Sequence, residues 1–439
     1  MNRMNLRCVI ALALLCSITF TVTAQKAGWV KQVITVNSGK FEFQPPIQDF
    51  VTVQSYNPAT QAVNEFNTIF TQSAQDILIH GHFAYIAAQD SIVKYDLNSY
   101  ERVAAIADSG LSKLGIYQNR LIVSKQYPLA KFFMEVLDTS NLSLIALVDG
   151  IPGDCGGIAA TSDSVYIAVN GGWMGTEGKI AVVDPGSWTL ARVINLGTSA
   201  VGINNLYLDE NKIYSVNKTP YGMPDVGSIS EYDPATGNFV NGMVSVKVGN
   251  GVGIINHTLY AVFNYGIGSF DLTSMQITDT AIIEDPGSAG FVYILSAAID
   301  TMNDLIHVNI GDYMTPGYCV VASLTGDSVT TYTTGISSET VGVDYREYPA
   351  GIPAELAESG SLNLYPNPAS DRITVQYTGH PDVQGVTMTD VFGRPVNHMA
   401  ITLNETGPTT ISVENLPAGM YCLVLKTNSG TVVGKFIKQ

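Results

Sequence analysis

Residues 158–197 read IAATSDSVYIAVNGGWMGTEGKIAVVDPGSWTLARVINLG. Four short runs stand out, around Gly157–Ala160, Ser164–Val169, Lys179–Val183 and Thr189–Leu196. In each, valine, isoleucine or tyrosine alternates with smaller or polar residues, the period-2 pattern of a β-strand. Asp184-Pro185-Gly186-Ser187 makes a turn between the last two runs, and a Gly-rich loop carrying Trp173 separates the middle two. A four-stranded meander of this kind cannot bury both of its faces alone, so the stretch predicts copies of itself elsewhere in the chain.

The copies are present. Comparable units begin near Val30, Ile77, Leu114, Asn204, Gly253 and Leu295. A recurring turn sets their register: Tyr56-Asn57-Pro58, Tyr95-Asp96-Leu97, Leu137-Asp138-Thr139, Val183-Asp184-Pro185, Tyr232-Asp233-Pro234 and Phe270-Asp271-Leu272. An Asx side chain accepts hydrogen bonds from backbone amides two residues on, and proline presets φ, so these are structural turns and not metal ligands. The last unit substitutes Ser323-Leu324-Thr325-Gly326. Seven four-stranded units predict an all-β fold, a seven-bladed β-propeller over residues 25–347. The first unit lacks an inner strand, and VGVDYRE at Val341–Glu347 is left over after the seventh. We expect that segment to complete the first unit and close the ring, covering edges that would otherwise be open.

The two ends differ from the middle. Arg3 and Arg7 precede an apolar run, then Thr21-Val22-Thr23-Ala24, which predicts a secretory signal peptide over residues 1–24. Of the five cysteines, Cys8 and Cys16 leave with it. Cys155, Cys319 and Cys422 are too few and too widely spaced for a disulfide framework or a zinc-type pair. No later run is long enough to span a membrane. Residues 348–360, rich in Pro, Ala, Glu and Ser, read as a linker. Residues 361–439 show short alternating strands with turns at Pro366-Asn367-Pro368, Phe392-Gly393-Arg394 and Asn428-Ser429-Gly430, which predicts a small Ig-like β-sandwich. That last segment holds five basic and five acidic residues, whereas residues 25–360 hold 15 basic and 33 acidic, a net of −18. Such a surface excludes nucleic acid and anionic membranes as natural partners.

The last 79 residues resemble the C-terminal sorting domain of proteins exported by the bacterial type IX secretion system. The resemblance rests on Leu364-Tyr365-Pro366-Asn367-Pro368, the VFGRPV segment, Leu416-Pro417-Ala418-Gly419-Met420-Tyr421 and a Gly-Thr-Val-Val-Gly-Lys run with a basic tail. It implies export to the outer cell surface or the medium, with the type IX machinery as a partner. Residues 30–347 resemble the YncE-like, YVTN-type propellers, in particular their secreted surface branch. That resemblance is carried by NSGKF…YNPATQAV, SIVKYDLNSYERVAAI and KIAVVDPGSWTL. Some members of the branch bind cobalamin, so a corrinoid is an implied candidate ligand, although no residue motif here specifies it.

Catalytic motifs are mostly absent: no HExxH, P-loop, GxGxxG after a strand, or GxSxG stands in the chain. Gly153-Asp154-Cys155-Gly156-Gly157 resembles the nucleophile segment of trypsin-like proteases with Cys for Ser, but no matching His motif precedes it. His80-Gly81-His82 reads as a tight turn, as does the equivalent His257, and lacks further metal ligands. No catalytic or metal residue is assigned, and no cofactor is indicated.

The informative pattern lies in the loops between the second and third strands of each unit. They carry Phe41 and Phe43, Tyr127, Trp173, Tyr221, Tyr265 and Tyr313; only the second unit, with Gln89-Asp90, has no aromatic. In an outward-running meander these loops share a face with the blade-to-blade connections. Aromatics flanked by glycine, asparagine and aspartate on one rim fit an organic ligand, a glycan or a peptide. The expected function is therefore a surface ligand-binding propeller, with a nutrient such as a corrinoid as the sharper version. The alternatives are an adhesion protein binding protein or glycan, and a propeller enzyme of lyase, lactonase or quinoprotein type.

Overall fold

The structure is a computed structural model that describes residues 28–44, 46–126, 132–347, 361–378, 383–390, 396, 408–427 and 430–439. The signal segment, the linker, Tyr127 and the Phe392-Gly393-Arg394 turn lie outside the described residues. The chain divides into two compact units, one of which is Gly28–Glu347.

Among its described residues that unit forms seven four-stranded antiparallel sheets. Sheet 4, the stretch quoted above, is Cys155–Ala160, Val165–Val169, Lys179–Asp184 and Thr189–Asn195, paired in chain order. Its alternation works in an unusual way. Val165, Ile167 and Val169 join an apolar cluster with sheet 3, whereas Tyr166 and Ala168 join one with sheet 5. Both faces are covered by neighbours, so all five residues of this strand are buried. The fourth strand of each sheet lies on the outside. Glu101–Ala107 and Leu144–Leu147 accordingly keep most of their residues at least partly exposed. One apolar cluster fills each of the seven interfaces between successive sheets. The sheets are therefore the blades of a β-propeller, each stabilised only through its two neighbours.

The recurring turn folds as its chemistry predicts. Asn57, Asp96, Asp138, Asp184 and Asp233 each accept a hydrogen bond from the backbone N–H two residues on, at 2.7–2.9 Å. Asp271 instead takes the N–H three residues on, that of Ser274 at 2.6 Å. Four residues after each Asx the chain turns left-handed, at Gln61, Tyr100, Leu142, Trp188, Gly237 and Met275. Hydrogen bonds hold four of these carboxyls below the usual carboxylate range, led by the Ser140 and Thr236 hydroxyls for Asp138 and Asp233 and by the Gly186 and Ser274 amides for Asp184 and Asp271.

The ring closes as expected. Thr340–Glu347 pairs antiparallel with Gly28–Asn37 and is the innermost strand of blade 1. The seven inner strands pack each against the next, with Tyr293–Asp300 of blade 7 against Thr340–Glu347. Polar groups pin this seam. Fully buried Asp344 takes a bidentate pair from Arg346, at 2.6 and 2.8 Å, and a third bond from Gln32 Nε2 at 2.9 Å. Tyr345 OH donates to the Ile299 carbonyl of blade 7 at 2.9 Å.

Among its described residues the second unit forms two three-stranded sheets. One joins Ser361–Tyr365, Arg372–Thr378 and Thr409–Ser412; the other joins Val383–Asp390, Gly419–Thr427 and Gly430–Lys438. Their facing residues, among them Ile373, Val375, Met388, Leu423, Leu425 and Phe436, form a single buried cluster. This is a small β-sandwich.

Candidate ligand-binding rim

Strand order puts the loops between second and third strands at the same end of the propeller as the connections between blades. On that rim, Phe41 (51 % exposed), Phe43 (86 %), Tyr221 (76 %), Tyr265 (38 %) and Tyr313 (43 %) all present ring surface to solvent. Trp173 falls in a short 3₁₀ turn, Gly172–Met174, within its loop. Tyr127 lies outside the described residues. The described members do not converge on one point: Phe41, Phe43 and Tyr313 line one cavity, Tyr221 lines another, and Tyr265 lines neither.

The larger cavity, of about 740 Å³, opens where the loops of blades 4 and 5 meet the connections leading out of them. Tyr221, Met223 and Pro220 supply its apolar wall; Asn170, Asn204, Lys218 and Lys247 are among its polar lining. Two left-handed glycines, Gly171 and Gly172, bend the blade 4 loop, and the Asn170 side chain accepts the Gly172 N–H at 2.8 Å. Gly202 sets the junction of the two blades. It sits at φ +80°, and a Cβ there would stand 2.1 Å from the Lys218 carbonyl oxygen. The backbone of Lys218 also donates to the Gly202 carbonyl at 2.9 Å. Gly202→Ala is therefore expected to destabilise the propeller by about 1–3 kcal/mol from the backbone conformation alone, and to loosen this cavity further through the clash. Denaturant melts of the variant check it.

The second cavity, of about 350 Å³, joins blades 7 and 1 and is lined by Phe41, Phe43, Tyr313 and Met314 with Lys40 and Glu339. Phe41 and Phe43 meet edge to face, with centroids 5.0 Å apart. Burial raises the Glu339 carboxyl above its ordinary range, while a hydrogen bond from Ser38 Oγ opposes the shift. Tyr265 lines neither cavity. Its ring stands 6.3 Å from that of Tyr293, which is 6.1 Å from that of Tyr313, so a row of aromatics runs from Tyr265 toward the smaller cavity. On its other side, Lys247 Nζ donates to Tyr265 OH at 2.6 Å and lies 4.6 Å from the ring centroid.

The loop aromatics alone do not reveal the inner strands' contribution. In six blades the pairing of the first strand slips near its rim end, at Ala74/Asp76, Leu111/Leu114, Cys155/Ile158, Ile203/Asn205, Val248/Gly251 and Ile294/Ser296. Bulges re-aim side chains, and here they gather polar groups near the rim end of the inner strands. Lys113 pairs with Asp76 at 3.1 Å. The Asn250 amide oxygen accepts from Lys218 Nζ at 3.3 Å and from Asn204 Nδ2 at 3.2 Å. The sequence signal for this feature is a polar or glycine pair near the start of the inner strand in blades 2 to 6, such as Ser112-Lys113 or Asn204-Asn205, with no spacing to distinguish it from a turn.

Cys155 is buried, its Sγ bonds to the Gly153 carbonyl at 3.3 Å, and burial pushes its thiol far above the range of a nucleophile. His80 and His82 flank Gly81 in the turn joining the first two strands of blade 2, and His257 holds the equivalent turn of blade 6 at φ +59°. Among the described residues, no group of three or more His, Cys, Asp or Glu side chains is placed to hold a metal ion, and no helix is long and apolar enough to cross a membrane.

Comparison with known proteins supports both parts of this description. The first unit belongs to the β-propeller class. It is similar to a hypothetical selenium-binding protein from Sulfolobus tokodaii, with a TM-score of 0.54 and 10% identity over 72% of this chain and 93% of that one. It also resembles the β-propeller domain of Cps50 (Swd1) from Myceliophteria thermophila, with a TM-score of 0.45 and 8% identity over 59% and 89%. The extracellular domain of a putative one-component system from B. thetaiotaomicron matches 92% of this chain and 57% of its own, at 10% identity and a TM-score of 0.47. Likeness at these identities concerns the fold alone. No curated protein matches the chain. Residues 363–439 match the secretion system C-terminal sorting domain family. The chain is thus a β-propeller protein directed by the type IX sorting domain to secretion and the cell surface.

Proposed function

We propose that this protein is a surface-exported binding propeller that captures a small organic ligand on its rim, in the cavity around Tyr221. The observation that carries the reading is the cavity of about 740 Å³ with exposed Tyr221 and Met223 on one wall and amide and ammonium groups on another. Ligand sites fall in this size range and combine apolar walls with a few placed polar groups. The likeness of residues 30–347 to YncE-like surface propellers makes a corrinoid the first ligand to test. Calorimetric titration with cyanocobalamin is expected to show tight, saturable binding; a flat titration removes the corrinoid version.

Tyr221→Ala is expected to weaken ligand binding about tenfold or more, as truncation of a central aromatic anchor does. Because Tyr221 is 76 % exposed, the melting temperature should shift by no more than about 2 °C. A large loss of stability instead would show that the ring packs between blades.

A second reading, adhesion to a protein or glycan, is favoured by Phe43, Phe70 and Phe291, which are 86 %, 79 % and 72 % exposed on the same rim. Rings this exposed on one rim, two of them paired with a neighbouring ring, Phe43 with Phe41 and Phe70 with Phe50, fit a broad, flat partner better than a small cavity does. Binding on a glycan or peptide array that disappears with Phe43→Ser and Phe70→Ser, but persists in Tyr221→Ala, would select it.

A further inference from the structure

We infer that the cavity around Tyr221 is selective for organic anions, its lysines seating the acidic group while Tyr221 and Met223 cover the apolar part. The inference rests on the rim-binding reading above and adds the charge of the ligand. Of the thirteen described residues lining the cavity, two are lysines and none is a carboxylate. That is unexpected in a chain with 38 acidic and 22 basic residues.

Nor are these lysines neutralised from behind. Among the described residues, neither Lys218 nor Lys247 has a carboxylate partner. Lys218 donates only to the Asn250 amide oxygen, at a long 3.3 Å, and Lys247 to the Tyr265 hydroxyl. The two buried lysines elsewhere among the described residues have their ammonium groups taken up: Lys125 is held by both Asp108 and Glu135, and Lys94 by the Thr139 and Ser140 carbonyls. The Lys218 side chain is exposed to solvent at the mouth of the recess. Burial lowers its pKa, and repulsion from Lys113 and Lys247 lowers it further. An anion placed among these groups relieves the repulsion and takes up N–H donors that the protein leaves unfilled.

Asn250 and Asn204 belong to the mechanism. Through its bulged inner strand, blade 6 presents the Asn250 oxygen to both Lys218 and Asn204 Nδ2. That shared acceptor holds the ammonium at the rim and keeps it from folding back over the strand. Small neutral amides do this without cancelling the charge; an aspartate at position 250 would cancel it.

The test uses two naphthalene probes that share a ring system, 8-anilinonaphthalene-1-sulfonate and neutral N-phenyl-1-naphthylamine. Each is titrated by fluorescence into the full chain and into variants. Both signals should drop in Tyr221→Ala, which assigns them to this cavity. Lys218→Gln with Lys247→Gln should weaken the sulfonate about tenfold or more, as loss of charge-assisted hydrogen bonds does, and change the neutral probe by less than about twofold. Lys218→Arg with Lys247→Arg should retain sulfonate binding, which separates loss of charge from loss of fold. Raising the salt from 0.05 to about 0.5 M should weaken only the sulfonate. If the glutamine pair leaves sulfonate affinity unchanged while Tyr221→Ala removes both probes, anion selectivity is wrong and the rim site stands. If neither probe responds to Tyr221→Ala, the rim site fails and the selectivity with it.

Discussion

A chain ending at Glu339 is expected to lose the cooperative melt that a chain ending at Glu347 retains. The eight residues between them form the inner strand of blade 1, aligned with Gly28–Asn37 at eight positions. Without them, Val33, Ile34 and Val36, each fully buried, lie on a strand with a free edge, and blade 7 loses the Val343 side of its apolar cluster. The seam also loses the Asp344–Arg346 pair, and Gln32 loses its bond to Asp344. A propeller has no core apart from its interfaces, so an open ring exposes apolar surface at both ends and presents an unpaired edge to other chains. The expected product is aggregated or molten. Circular dichroism melts and size-exclusion chromatography of residues 25–339 beside residues 25–347 decide it. A cooperative transition within a few degrees for the shorter chain would mean that the ring does not depend on its terminal strand.

The second large effect is acid sensitivity centred on His307. This residue is 1 % exposed, beside the stacked Tyr56 and Tyr332 rings at the interface of blades 7 and 1, and neither ring nitrogen has a hydrogen-bond partner. Burial lowers its pKa to about 4, with the negative charge of Asp300 opposing the shift. The unfolded chain would hold this proton with a pKa near 6.5. The folded state therefore binds the proton less readily. Stability is fully present above about pH 6.5 and is lost as the pH falls toward 4, by an amount on the order of 3 kcal/mol. Glu339 acts in the opposite sense over the lower part of this range, because its raised folded pKa makes protonation favourable to the fold. The four lowered turn aspartates contribute only further into acid. Urea midpoints should drop between pH 7.5 and 5, and His307→Leu should flatten most of that slope. An unchanged slope in the variant would assign the acid sensitivity elsewhere. Replacing an unpaired buried polar ring by an apolar side chain should also leave the variant at least as stable as the parent at pH 5.

How much of this was legible in the chain varies by feature. The Asx turns were, because their hydrogen bonds span two or three residues and depend on one side chain and its nearest amides. The closing strand was legible as a leftover, since Val341–Glu347 had strand alternation and no unit of its own. The rim aromatics were legible as a set sharing one face, because strand count alone decides at which end a loop emerges. Their division into two cavities was not. Phe41 and Tyr313 line the same recess across 272 positions of sequence, whereas Tyr265 lines neither.

Lys218, Lys247 and Asn250 were missed for a related reason. Each looks like an ordinary solvated residue in its own segment, and only the bulged inner strands of neighbouring blades place them together. The sequence by itself determined the repeat, the turns, the closing strand and the sorting domain, because each rests on local patterns of hydrogen bonding and burial. The tertiary structure alone decided which rim groups share a cavity and which charges go unpaired. Those depend on distances between blades that no period in the chain encodes.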